Sequence, residues 1–147
     1  MAPYCGHMRR GATLVETLLS LVILSLLLGI AFPRFGAVRD QLAVGQAVSH
    51  IAAAHRRARI TAILQSRPVV LTIGPDSLAL AVEPDSGVRW VEAGPAVHGV
   101  TLAGGAKKIT FSPVGITTGV SNATFRLSRG AASRTVVVSR LGRLRIQ

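Results

Sequence analysis

Two groups of side chains in this sequence have the types and spacing to do chemistry, and they stand at opposite ends of the chain. Near the start, Glu16 is the only ionisable group in a run of roughly 22 residues, Ala12 to Pro33, long enough at about 1.5 Å per helical residue to cross a bilayer core. A carboxylate in such a run costs about 2.5 to 3.5 kcal/mol on insertion scales, so it meets a cation, stays protonated, or reaches up to the interface. Near the other end, Arg140, Gly142, Arg143 and Arg145 occur in the string SRLGRLR. Strand side chains alternate faces, so Arg143 and Arg145 would project together about 7 Å apart, close to the spacing of successive phosphates, with Gly142 allowing a turn before them. In both places the chemistry is charge pairing.

Catalysis finds no comparable support. GxSxG, HExxH and phosphate-loop patterns are absent, and the six acids form no obvious pair for proton transfer, so no enzymatic activity is expected. His50 and His55 are five apart, which is not the spacing that aims two imidazoles at one metal, and they read as packing or surface residues. The single cysteine, Cys5, excludes a disulfide framework and a CxxC site, so neither metal nor cofactor is expected. Aromatic residues make up 4% of the chain, too few for a base-stacking platform.

The net charge of +11 is unevenly placed, with all six acids in the first 92 residues. From Ala93 to Gln147 there are eight Lys or Arg and no acid. That one-signed stretch fits a polyanion or an acidic protein neighbour, or is a solvated surface from an arginine-rich composition. Arg56, Arg57 and Arg59 form a smaller cluster, read as a solvated face or as a contact to a neighbour or an anion.

These groups need elements to hold them. Met8, Arg9, Arg10 and Gly11 precede the apolar run, and by the positive-inside rule the basic pair stays in the cytoplasm, leaving the rest periplasmic or exterior. The run is longer than the core of a cleaved secretory signal and continues into FPRF without a small-x-small site. Beyond Pro33 a helical pattern resumes through Val38, Leu42, Val48, Ile51, Ala52, His55, Ala58, Ala62 and Ile63 to Ser66, where Arg67-Pro68 stops it. The grammar then changes to about seven short strands, starting with VVLTI, LALAVE and VRWV and ending with RTVVVSR and LGRLRIQ. Trp90 and Phe111 read as core.

The string RRGATLVETLLSLVILSLLLGIAFPRF resembles the class III signal of type IV prepilins and type II secretion pseudopilins. The resemblance implies that prepilin peptidase cuts between Gly11 and Ala12 and that Ala12, where the family usually has phenylalanine, becomes the methylated N-terminus. It also implies that Glu16 pairs with the free α-amino group of a neighbouring subunit and that Pro33 is the family's helix-kinking proline. The later order, with FSPVGITTG and RTVVVSRLGRLRI, is similar to the H-type minor pseudopilin and FimT-type minor pilin group. The expected fold is therefore α+β and pilin-like: a long N-terminal helix, transmembrane half plus amphipathic half, packed on a mostly antiparallel β-sheet domain. Residues 1–11 would be a cleaved leader, 12–33 the transmembrane and assembly helix, and 34–147 a periplasmic domain anchored by a single pass in the inner membrane. Expected partners are prepilin peptidase and other pseudopilins or pilins in a hetero-oligomeric filament. Two functions stay open: a minor pseudopilin of a type II secretion system, or a FimT-type minor pilin that binds DNA. The GRLR tetrad resembles the DNA-holding motif of the second group, which would carry to Gly142, Arg143 and Arg145 with Arg140 beside them.

Overall fold

A computed structural model describes residues 13–84, 87–119 and 123–147, with the backbone alone at 31–33. Gly11 and Ala12, the expected processing site, and the side chain of Pro33 lie outside the described residues. The first element is a helix, α1 (Leu14–Gln65), whose backbone stays helical through position 33. Thr13 caps its start: Glu16 N donates to Thr13 Oγ1 at 3.3 Å, as in the Thr-x-x-Glu signature of helix starts. The hydroxyls inside the apolar run are satisfied within the helix, Thr17 donating to Leu14 O, Ser20 to Glu16 O and Ser25 to Val22 O, each at 2.8 Å. Those three polar side chains therefore need no water, which a lipid surrounding requires. At the other end Ser66 turns left-handed (φ 49°), Ser66 N donates to Ile63 O and Arg67 N to Ala62 O. This pair of bonds closes the helix just before Pro68, one residue short of the sequence expectation.

The chain divides into two compact units, Met1–Gly36 and Ala37–Gln147. In the first, every described side chain is exposed, from Thr13 to Ile30 and from Arg34 to Gly36. The second holds the core, and every buried residue among those described lies at or beyond Ala43. The residues that α1 buries are Ala43, Val44, Ala47, Val48, Ile51, Ala54, His55, Ala58 and Ala62. Val38, Leu42 and Ile63, expected on that face, are exposed. Ile63 lies off the stripe that Ala58 and Ala62 continue. Five of the buried residues are alanine, so the helix backbone can sit close to the strands.

Among the described residues nine antiparallel strands follow, in two sheets. The first sheet runs β3-β2-β1-β5-β6, from β1 (Val69–Ile73), β2 (Ser77–Val82), β3 (Val88–Ala93), β5 (Lys107–Phe111) and β6 (Thr117–Thr118). The second runs β4-β7-β8-β9, from β4 (Thr101–Ala103), β7 (Ala123–Arg129), β8 (Ala132–Val138) and β9 (Leu144–Ile146). A 3-10 turn, Pro95–His98, joins β3 to β4. Alternation in VVLTI, SLALAV and ATFRLSR sends Leu71, Leu80, Phe125 and Leu127 into one core with the helix stripe. Phe111 is fully buried, as expected, whereas Trp90 only packs against the margin of the core. Fully burying side chains of this size contributes about 1.5 to 3 kcal/mol each.

Candidate functional site

The C-terminal arginines are held by a turn tied on three sides. Ser139 N donates to Arg143 O at 2.9 Å, Gly142 N to Ser139 O at 2.9 Å, and Arg143 N to Ser139 Oγ at 3.2 Å. Gly142 is left-handed (φ 70°) and buried, and a Cβ there would stand 3.0 Å from Gly115 O. Thr117 Oγ1 clamps the same turn from the first sheet, donating to Arg140 O at 2.7 Å. The glycine thus serves as a turn, as its sequence context suggests, and as a point of close backbone approach. Past it, Arg143 and Arg145 are exposed and the intervening Leu144 is half-buried, so the two guanidinium groups share a side. Arg140 is exposed in the turn itself.

Sequence reasoning missed what faces them. A groove of about 870 Å³ separates segment 139–146 from the α1 residues Ala52, His55, Arg56 and Arg59. It brings Arg56 and Arg59 together with Arg143 and Arg145, and no acid lines it. No local signal could have found this pairing, because more than eighty residues separate the two walls. Arg57, one position away, belongs elsewhere: it stacks over the Trp90 ring at 5.0 Å.

His55 sits at the bottom of this cationic region, 4% exposed, with its ring edge-on to Phe111 at a centroid distance of 5.0 Å. Burial, reinforced by Arg59 and Arg56, pushes its pKa down from 6.5 to about 4, so the imidazole is neutral near pH 7. Its Nε2 is buried without a hydrogen-bond partner. Both histidines read from the sequence as packing or surface residues, and His55 is the buried one of the two. His50 packs on the ring of His98 at 5.0 Å and lies 3.9 Å from Glu92 Oε1. Among the described residues no group of three or more His, Cys, Asp or Glu is placed to hold a metal.

Other basic residues are spent on structure. Arg129 pairs with Asp40 at 3.0 Å and donates to His98 O, linking α1 to the end of β7 and to the 3-10 turn. Lys107 donates to Thr124 O at 2.9 Å across the two sheets. At the N-terminal site, Glu16 lies exposed in the first turn of α1 with no ion-pair partner among the described residues. That turn also carries the positive end of the helix dipole, which favours a carboxylate.

Comparison with known proteins agrees with this architecture. The model of the type II transport protein GspH family matches residues 47–142, and the prokaryotic N-terminal methylation motif matches residues 6–32. The chain is 36% identical to the pilin-like protein PilA1 of Thermus thermophilus, over 95% of this chain and 99% of that protein. In fold it is similar to the type IV minor pilin FimU of Pseudomonas aeruginosa in two crystal forms, with TM-scores of 0.60 and 0.58 at 17% identity. Those alignments cover 71% and 70% of this chain and 87% and 91% of the solved ones.

Proposed function

From the premise that the chain belongs to the GspH family of pilin-like filament proteins, we propose that it is a minor pseudopilin of a type II secretion system. The family match across residues 47–142, the body of the domain, carries this reading. In it, prepilin peptidase acts between Gly11 and Ala12, Ala12 is methylated, and the helix leaves the inner membrane to join a periplasmic pseudopilus. The exposed apolar surface of 14–30 supports that role, because it suits lipid before assembly and neighbouring helices afterwards. Glu16 then finds its cation in the free α-amino group of the adjacent subunit, a pairing that sets axial register more than it adds net stability. Pro33 marks the end of the inserted segment, and residues 34–147 face the periplasm.

A second reading has its own observation. Arg140, Arg143 and Arg145 are exposed, and among the described residues none makes an ion pair, which suits a minor pilin that captures DNA. Deleting the gene tests the two together. The first reading expects loss of extracellular enzyme from the medium with DNA uptake unchanged, and the reverse result overturns it. For the second, a gel shift of residues 34–147 with duplex DNA across a salt series should show a slope that flattens by about one unit in Arg143→Ala. Absence of binding at low salt rejects the DNA reading.

A further inference from the structure

We propose that β9 is an open docking edge that takes an extended acidic peptide segment of a neighbouring filament subunit as the fifth strand of the second sheet. The ladder shows the opening. β9 pairs with β8 through Val136 opposite Ile146, Val137 opposite Arg145 and Val138 opposite Leu144. Gln147 exchanges both backbone bonds with Thr135 at 2.8 Å, and Ser139 N donates to Arg143 O. Bonded and non-bonded pairs alternate in an antiparallel ladder, so 143, 145 and 147 spend their backbone groups on β8. The N–H and C=O of Leu144 and Ile146 point the other way, where the second sheet has no further strand among the described residues.

What lies beside that edge selects the occupant. The groove between segment 139–146 and α1 is walled by Arg143 and Arg145 on one side and by Arg56 and Arg59 on the other. Seven helical steps from Ala52 to Arg59 span about 10 Å, the length of three strand residues, which matches Leu144–Ile146. A strand laid there lies between four guanidinium groups and a floor of Ala52, His55 and Leu144. Carboxylates on one face and small apolar side chains on the other answer both requirements. The same arginines act against a second copy, because two β9 edges side by side would bring like charges together. A polynucleotide fits less well: no Phe, Tyr or Trp lines the groove, and the one lining imidazole, His55, is buried edge-on against Phe111 rather than open to a base.

This inference rests on the filament-subunit reading only for the origin of the peptide, since binding is measured on the isolated chain. The experiment is fluorescence anisotropy of the full chain in nonionic detergent micelles, titrated against a short labelled peptide of alternating Glu and Val. Comparators are the matching Gln and Val peptide, the acidic peptide with alternate backbone amides N-methylated, and a short DNA duplex. The acidic peptide should bind, and the Gln and N-methylated versions should bind at least about tenfold more weakly. Ile146→Pro removes one outward N–H and no ladder bond, so it should weaken the acidic peptide by a similar factor while the far-ultraviolet circular dichroism is retained. Arg59→Ala and Arg143→Ala should each weaken it severalfold. Equal affinity for the acidic and N-methylated peptides would reduce the groove to a charged surface and overturn the proposal, without requiring any variant to fold. Binding of the duplex with no binding of the acidic peptide would overturn it in favour of nucleic acid. Neither result touches filament assembly, which is read from Glu16.

Discussion

Acidification should destabilise the domain through one buried side chain, His55. Its ring is 4% exposed, packed on Phe111, and lies beside Arg56 and Arg59, so the folded chain resists protonating it. The pKa falls from 6.5 to about 4, and the unfolded chain therefore binds the proton more readily throughout that window. Stability from keeping the imidazole neutral is complete above about pH 6.5 and is lost as pH falls toward 4. At pH 4.5 the loss is on the order of 2 kcal/mol, a sizeable share of the 5 to 15 kcal/mol typical of a domain. Residues 34–147 contain the whole described core, so urea unfolding of that fragment at pH 7 and pH 4.5 is the assay, alongside His55→Leu. Carboxylates titrate in both proteins, and the wild type should lose on the order of 2 kcal/mol more than the variant between the two pH values. Equal losses would refute the assignment of a neutral, desolvated imidazole.

Three further outcomes are expected, the first from the proposed processing site and the other two from the geometry of the domain. Mass spectrometry of the protein from cells with prepilin peptidase should give an N-terminus at Ala12 carrying a methyl group, and cells without the enzyme should give the unprocessed chain; identical masses would reject the cleavage site. Arg129→Ala removes the 3.0 Å pair with Asp40 and the bond to His98 O, and should lower the stability of residues 34–147 by about 1 to 2 kcal/mol in urea unfolding. Gly142→Ala places a Cβ on a left-handed residue 3.0 Å from Gly115 O, and should cost about 1 to 2 kcal/mol and disturb Arg143; an unchanged midpoint would reject the clamp at Ser139–Arg143.

Features written in contiguous residues were legible in the sequence: the apolar run, the Arg67-Pro68 stop, the period of the short strands and the turn at Gly142. The division of those strands into two sheets was not, because β5 to β1 and β4 to β7 are pairings over long sequence separations that alternation alone does not specify. The two-residue strand β6 carries too few residues for any pattern. The helix face was read partly wrongly because Val38, Leu42 and Ile63 are apolar without being buried, while alanines carry much of the true stripe. Only half of the candidate site was visible. Arg140, Gly142, Arg143 and Arg145 announce themselves as a string, but their counterparts Arg56 and Arg59 sit in a helix whose neighbouring arginine, Arg57, turns instead to Trp90.

The central claim is that a single carboxylate at the front of the apolar helix is retained to meet a sister subunit's amine. Its most direct measurement compares wild type and Glu16→Ala for insertion in the membrane fraction and for site-specific cross-linking into filaments. The account predicts normal insertion with incorporation reduced at least about tenfold, the consequence of an unpaired buried α-amino group in the neighbouring helix. Incorporation of Glu16→Ala at the wild-type level would contradict it.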